Sequence, residues 1–217
     1  MSRLSKRSRV LAAAIAAVVL RASALSAQEP PPPIPRFVVD LHGNSLSFPD
    51  NLQLAASRGL NQLELPGRGL GFDLAAHVYP LRWRAITFGF GGQLTISRGH
   101  QSPGEDTPGL RPVTERFTSI APQVSFNFGS GTGWSYLSGG ISTSRWSLVP
   151  DNGVALAPDE ERLKTLNYGG GARWFMKTHV AFSFDVRLYA INPGTTGVLK
   201  TSPRTTLVII GAGVSFK

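Results

Sequence analysis

From Phe37 onward the chain alternates apolar and polar residues with a period of two, as strands with one greasy face and one polar face do. Eight segments carry the pattern: residues 37–43, 71–79, 85–97, 117–128, 134–148, 164–176, 179–191 and 205–216. In the third, Ile86, Phe88, Phe90, Leu94 and Ile96 share one side while Thr87, Gly89, Gly91, Gln93, Thr95 and Ser97 share the other. The fourth sets Ile120, Val124, Phe126 and Phe128 against Ser119, Gln123, Ser125 and Asn127. The last sets Val208, Ile210, Ala212, Val214 and Phe216 against Gly211, Gly213 and Ser215, although Leu207 and Ile209 break the rule at its start. The seventh is the most telling, because Asp185 and Arg187 lie opposite Phe182, Phe184, Val186 and Leu188.

Alternation alone does not separate a half-solvated soluble sheet from a membrane barrel, so the connections decide. By these boundaries they run about 27, 5, 19, 5, 15, 2 and 13 residues, long and short in strict turn. Short turns on one rim and long loops on the other, with an even strand count, describe an eight-stranded antiparallel up-and-down transmembrane β-barrel, all-β, with both termini on the short-turn, periplasmic side. The short connections are YPLRWR, GSGTG and KT; the long ones are rich in Gly, Pro, Asn, Asp, Ser and charge, the composition of exposed loops.

The amino-terminal residues change the charge picture. MSRLSKRSRV is basic, Val10 to Leu20 is an apolar run of 11 residues, and ASALSA supplies small residues before position 28. This is the layout of a secretory signal peptide, too short to span a bilayer, and it assigns residues 1–27 to export. Its five basic residues (Arg3, Lys6, Arg7, Arg9 and Arg21) account for five of the +9 formal charges, so +4 remains on the mature chain. The remaining Lys and Arg are scattered, and no nucleic-acid partner is needed to explain them. Residues 28–36, QEPPPPIPR, form a stiff Pro-rich periplasmic lead-in, and residues 37–217 the barrel. There is no Cys, hence no disulfide or thiolate chemistry.

In a narrow barrel whose apolar faces meet lipid, the polar faces point inward and must satisfy one another. The inward register predicts a lumen network of Asp40, His42, Asp73, His77, Gln93, Gln123, Asn127, Arg173, Asp185 and Arg187. Tyr79, Trp83, Trp134, Tyr136, Trp174 and Phe216 fall near the short-turn ends and are expected to form the inner aromatic girdle, with Trp146 at the opposite end. Gly169 to Gly171 read as room inside a crowded strand wall rather than as a phosphate cradle.

The segment LNYGGGARWFMKTHVAFSFDVRLYAI and the terminal VIIGAGVSFK resemble the last hairpin and closing strand of small outer-membrane barrels of the OmpA-like and OmpW-like type. One departure is that Lys217 follows Phe216, where such strands usually end on the aromatic residue itself. The resemblance implies an outer-membrane location in a Gram-negative envelope, contact with outer-membrane lipids, and delivery to the barrel-assembly machinery. It further implies a structural or surface-interaction role, with a narrow pore or passage of small apolar solutes as the OmpW-like variant.

Signatures of catalysis are thin. No nucleophile elbow, H-E-x-x-H or P-loop occurs, and the four His residues lack metal-ligand spacing, so neither a metal nor a cofactor is expected and the chain reads as non-enzymatic. His100, Gln101 and Ser102 form an H-x-S that resembles the catalytic pair of lipid A deacylase barrels, with Glu105 as the nearby carboxylate, but in a Gly/Pro-broken loop. The competing architecture is a soluble exported, lipocalin-like barrel binding an apolar ligand, which would turn the Phe, Val and Ile faces inward.

Overall fold

A computed structural model describes residues 31–105, 108–196 and 201–217. Residues 1–27, read from the sequence as an export signal, and the start of the Pro-rich lead-in lie outside the described residues. Eight strands follow in order: β1 (Phe37–Ser47), β2 (Arg68–Trp83), β3 (Ile86–Gln101), β4 (Val113–Ser130), β5 (Gly133–Pro150), β6 (Leu163–Phe175), β7 (Val180–Ile191) and β8 (Thr205–Phe216). Each is antiparallel to its sequence neighbour, and β1 closes on β8 from Val39 opposite Phe216 to Ser47 opposite Val208, giving a closed up-and-down barrel. Closure leaves no unpaired edge.

Alternation falls on the two sides of this wall as the sequence predicts. Leu41, Phe72, Leu74, Val78, Phe90, Ile120, Val124, Phe126, Leu137, Ile141, Phe182, Phe184 and Ile210 are exposed on the outer surface, while Asp40, Asp73, Arg173, Asp185 and Arg187 are buried on the inward side. The lipocalin-like alternative requires the opposite orientation and is not what the chain adopts.

Several strands run past the alternating segments, for one reason. Near the long-loop rim the chemistry of the faces inverts: Arg98, His100, Arg116, Arg145 and Ser147 stand on the outer register, while Leu46, Val113, Phe117, Trp146, Leu148, Leu163, Ile191, Leu207 and Ile209 are buried inside. A barrel that projects beyond an apolar slab into water needs a polar outside and an apolar inside at that height. Leu207 and Ile209, irregular in the sequence pattern, belong to this apolar upper layer.

Two boundaries are corrected. The first strand does not stop at Gly43, because Gly43 lies on the outer register and keeps its pairing to both β2 and β8. The YPLRWR connection is mostly strand: a register shift between Val78 and Leu81 absorbs Tyr79 and Pro80, and the turn shrinks to Arg84 and Ala85. Arg84 takes φ 54, the left-handed conformation tight hairpins demand.

The first long connection, expected to be an exposed loop, folds back over the barrel mouth instead. It forms helix α1 (Leu52–Arg58), started by the Asn51 side chain accepting from Leu54 N–H at 2.7 Å and ended by Gly59 at φ 64. A 3₁₀ turn (Gln62–Glu64) follows. Phe48, Leu54, Ala55, Leu60 and Leu65 are buried against the apolar upper layer and cap the lumen. The third long connection contributes the short helix α2 (Ala157–Glu160).

A filled lumen under a latched cap as the candidate functional site

The lumen has three layers. At the short-turn end Val38, Tyr79, Trp134 and Tyr136 form a buried cluster with Ile34 and Phe175 against it. Tyr79 meets Trp134 edge-on at 6.2 Å, and Trp134 stacks on Phe175 at 5.1 Å. Tyr79, Trp134 and Tyr136 are therefore not part of an outer girdle, because they share side-chain parity with His77 and Ser138, the inward series. Trp83, Trp174 and Phe216 do stand outside, at 59%, 53% and 43% exposure. Trp146, at the other end, is interior, its indole donating to Glu115 Oε1 at 2.7 Å.

The middle layer is polar, and its bonds cross the barrel. Arg173 on β6 grips Asp40 on β1 with two bonds, Nε to Oδ1 at 2.8 Å and Nη2 to Oδ2 at 2.6 Å. Ser215 donates to the same carboxylate, and the guanidinium lies 4.0 Å from the centre of the Tyr136 ring. A planar, bidentate, stacked arginine is the arrangement that makes a buried charge tolerable. Asp185 pairs with Arg187 at 2.8 Å and accepts from the Tyr136 hydroxyl at 2.6 Å, while Arg187 also donates to Ser138 and Asn167. Gln123 donates to Gln93 and Asn167 and meets His77 at 3.2 Å; His42 reaches Ser183 at 2.7 Å. Thr95 donates to Asp73 and contacts the Tyr189 hydroxyl at 2.8 Å, joining β2, β3 and β7.

All ten residues predicted from the inward register are buried. Asn127 alone stands apart from the cross-lumen set, bonding to Thr87 O and Ser125 on its own side. The sequence reading missed Asn44, which bonds Ser97, because it lies beyond Gly43. It also missed Asn167, although counting back by twos from Arg173 reaches it. Glycine supplies the room: a Cβ at Gly171 would strike the Tyr136 ring, and one at Gly89 the Tyr79 ring.

The upper layer is sealed by side chains that tie the long connections together. Arg58, at the end of α1, donates to Asp159 of α2 at 2.7 Å and to Ser202 at 2.9 Å. Asp159 also accepts from Leu148 N–H at 3.0 Å. On the outer side Arg111 donates twice to Glu64 at 3.1 Å and once to Gly59 O at 2.7 Å. Those bonds from Arg111, helped by the backbone amides of Arg111 and Asn61, push the Glu64 carboxyl down to about 2 against the opposing effect of its burial. At the opposite end Lys217 folds under the rim, donating to Gly131 O and covering the Phe175 ring at 3.9 Å, which accommodates the extra residue after Phe216.

The H-x-S pair is placed differently from its expected loop. His100 belongs to β3 and faces outward; its Nε2 is 2.9 Å from Ser102 Oγ. Its Nδ1 faces Thr114 Oγ1 at 3.2 Å and Asp151 Oδ1 at 3.8 Å, so the carboxylate beside it is Asp151 and not Glu105. Among the described residues no cluster of His, Asp and Glu has the makings of a metal site.

A closed eight-stranded barrel, apolar outside and charged inside, is the fold of the small outer-membrane β-barrel proteins. Among solved structures the chain is similar to Neisserial surface protein A (NspA), with TM-score 0.53 over 83% of this chain and 96% of that one at 16% identity. It is also similar to Ail, the attachment invasion locus protein of Yersinia pestis, with TM-score 0.47 over 84% and 99% at 12% identity. The outer membrane protease OmpT of Escherichia coli aligns more loosely, with TM-score 0.34 over 88% and 99% at 9% identity. No protein-family profile and no curated protein matches the chain.

Proposed function

We propose that the protein is an integral outer-membrane barrel whose lumen is closed and which acts through its outer wall and long-loop surface, as a structural or surface-interaction protein, rather than by conducting solute. The carrying observation is that the polar layer bonds opposite walls together, β1 to β6 through Asp40 and Arg173 and β3 to β7 through Thr95 and Tyr189. Aromatic and helical layers cover that plug at both ends. The membrane assignment rests on the outer belt, since water does not tolerate so large a continuous apolar surface on a folded chain. Outer-membrane lipids are then its constant partners. The barrel-assembly machinery is the partner for β8 during biogenesis. The OmpW-like passage of apolar solutes finds no support in a lumen this full.

Cell fractionation with cold and boiled gel mobility tests the membrane assignment. An outer-membrane protein whose mobility changes on boiling is expected, whereas release from the periplasm without detergent refutes it. Planar-bilayer recording of the folded protein tests closure, and stable single-channel steps would refute that part.

A second reading, an acyl hydrolase working on lipid at the rim, is favoured by one observation, the Ser102 Oγ to His100 Nε2 distance of 2.9 Å. It expects ester hydrolysis that disappears in both His100→Ala and Ser102→Ala. Equal background rates in the wild type and both variants remove it.

A further inference from the structure

Pro122 of β4 has no N–H, and the β4–β5 pairing lapses between Ile120 opposite Thr143 and Val124 opposite Gly139. On the outer surface at this height lies a groove of about 600 Å³ with two chemistries: Ile120, Pro122 and Ile141 below, Arg145 and Arg162 above. Ile120 and Ile141 are 65% and 75% exposed, so the lower half presents bare hydrocarbon. A second groove of about 530 Å³ lies towards the long-loop rim, lined in part by Arg98 and Arg116.

The arginines are close neighbours by register. Arg98 is directly opposite Arg116, and Arg145 is opposite Thr118, which makes it the diagonal neighbour of Arg116. Directly opposed side chains on antiparallel strands have Cβ atoms roughly 5 Å apart, and like charges there repel. Among the described residues none of Arg98, Arg116, Arg145 or Arg162 forms an ion pair, in contrast to Arg58, Arg111, Arg173 and Arg187. Asp151 is the carboxylate in the upper groove, and it is engaged by Thr114 at 3.0 Å and faced by His100. The cluster sits at the height where the outer face turns from apolar to polar, the level of a bilayer's headgroups.

We infer that the β4–β5 outer wall is a binding site for a phosphorylated lipid of the surrounding leaflet, its acyl chain over Ile120, Pro122 and Ile141 and its phosphate groups on Arg116 and Arg145, with Arg98 and Arg162 at the margins. Guanidiniums are the side chains suited to phosphate oxygens, and an anion there relieves the repulsion that the register imposes. The inference rests on the membrane reading above. It goes further by assigning a ligand class to one sector of the wall.

The test uses the mature chain folded in detergent micelles and native mass spectrometry, with diphosphorylated lipid A and the same glycolipid stripped of phosphate as probes. Retention of the phosphorylated form about tenfold or more above the stripped form is expected, falling to the stripped level in R116Q/R145Q and largely kept in R116K/R145K. Cold and boiled mobility should be unchanged in both variants, since these side chains lie outside the barrel. Equal retention of the two lipids, or undiminished retention by R116Q/R145Q, overturns the site. Displacement of the lipid by an equal concentration of inorganic phosphate overturns the lipid as its ligand. A wild-type chain that stays soluble without detergent overturns the membrane reading itself, and this site with it.

Discussion

Asp40 and Arg173 show how a single pair organises the interior. Each is buried, and each satisfies the other with two bonds, so neither substitution alone is benign. Removing one partner leaves an uncompensated charge in a narrow, water-poor space, a loss of about 3–5 kcal/mol, whereas replacing both with apolar groups of similar volume is often nearly neutral. Asp40→Leu is therefore expected to lower the urea midpoint for unfolding from lipid vesicles strongly, and Asp40→Leu with Arg173→Met to recover most of it. Additive losses in the double variant would reject this account. Parity made both residues legible as inward-facing. Their being partners was not legible, because 133 residues separate them and only closure of the barrel brings β1 to face β6.

At the scale of elements, the first long connection departs most from its expected character. Its composition is that of a loop, yet Asn51 and Gly59 define a short helix between them, and Leu54 and Ala55 need burial. The helix is held from outside by the neighbouring 3₁₀ turn, where Glu64 meets Arg111. The Glu64 carboxyl titrates near 2 in the folded protein against about 4.5 when unfolded. A depressed folded value means that the latch contributes fully above pH 4.5 and is lost as pH falls towards 2. The melting temperature of the wild type should exceed that of Glu64→Gln at neutral pH, and the gap should close across that window. A gap that persists at pH 2, or that widens below pH 4.5, would contradict the linkage.

For the whole molecule the layered filling implies redundancy. Leu54→Asp places a charge in the apolar cap and is expected to lift α1 from the mouth, seen as faster protease cleavage within residues 48–67. Because the Asp40–Arg173 and Asp185–Arg187 layers lie below, the same variant is expected to remain non-conducting in planar bilayers. Conductance appearing on this change alone would show that the cap, and not the polar layer, closes the barrel. The outward band of Arg98, Arg116 and Arg145 belongs to the same scale, since its meaning comes from its height on the wall rather than from any one side chain.

The period of two, a local consequence of strand geometry, together with the alternation of long and short connections and the even strand count, pointed by themselves to an eight-stranded up-and-down barrel, whereas the outward orientation of its apolar face was decided by the structure. Inward parity likewise reached all ten polar residues of the predicted lumen set. The same parity places Tyr79, Trp134 and Tyr136 inside as well, whatever their nearness to a turn. Only the tertiary structure decided which inward groups meet, that Leu207 and Ile209 belong to an apolar cap and that the first loop closes the mouth. It also decided that arginines from three strands stand side by side at one height. These depend on register between strands far apart in the chain, a property of the closed sheet that no single strand carries.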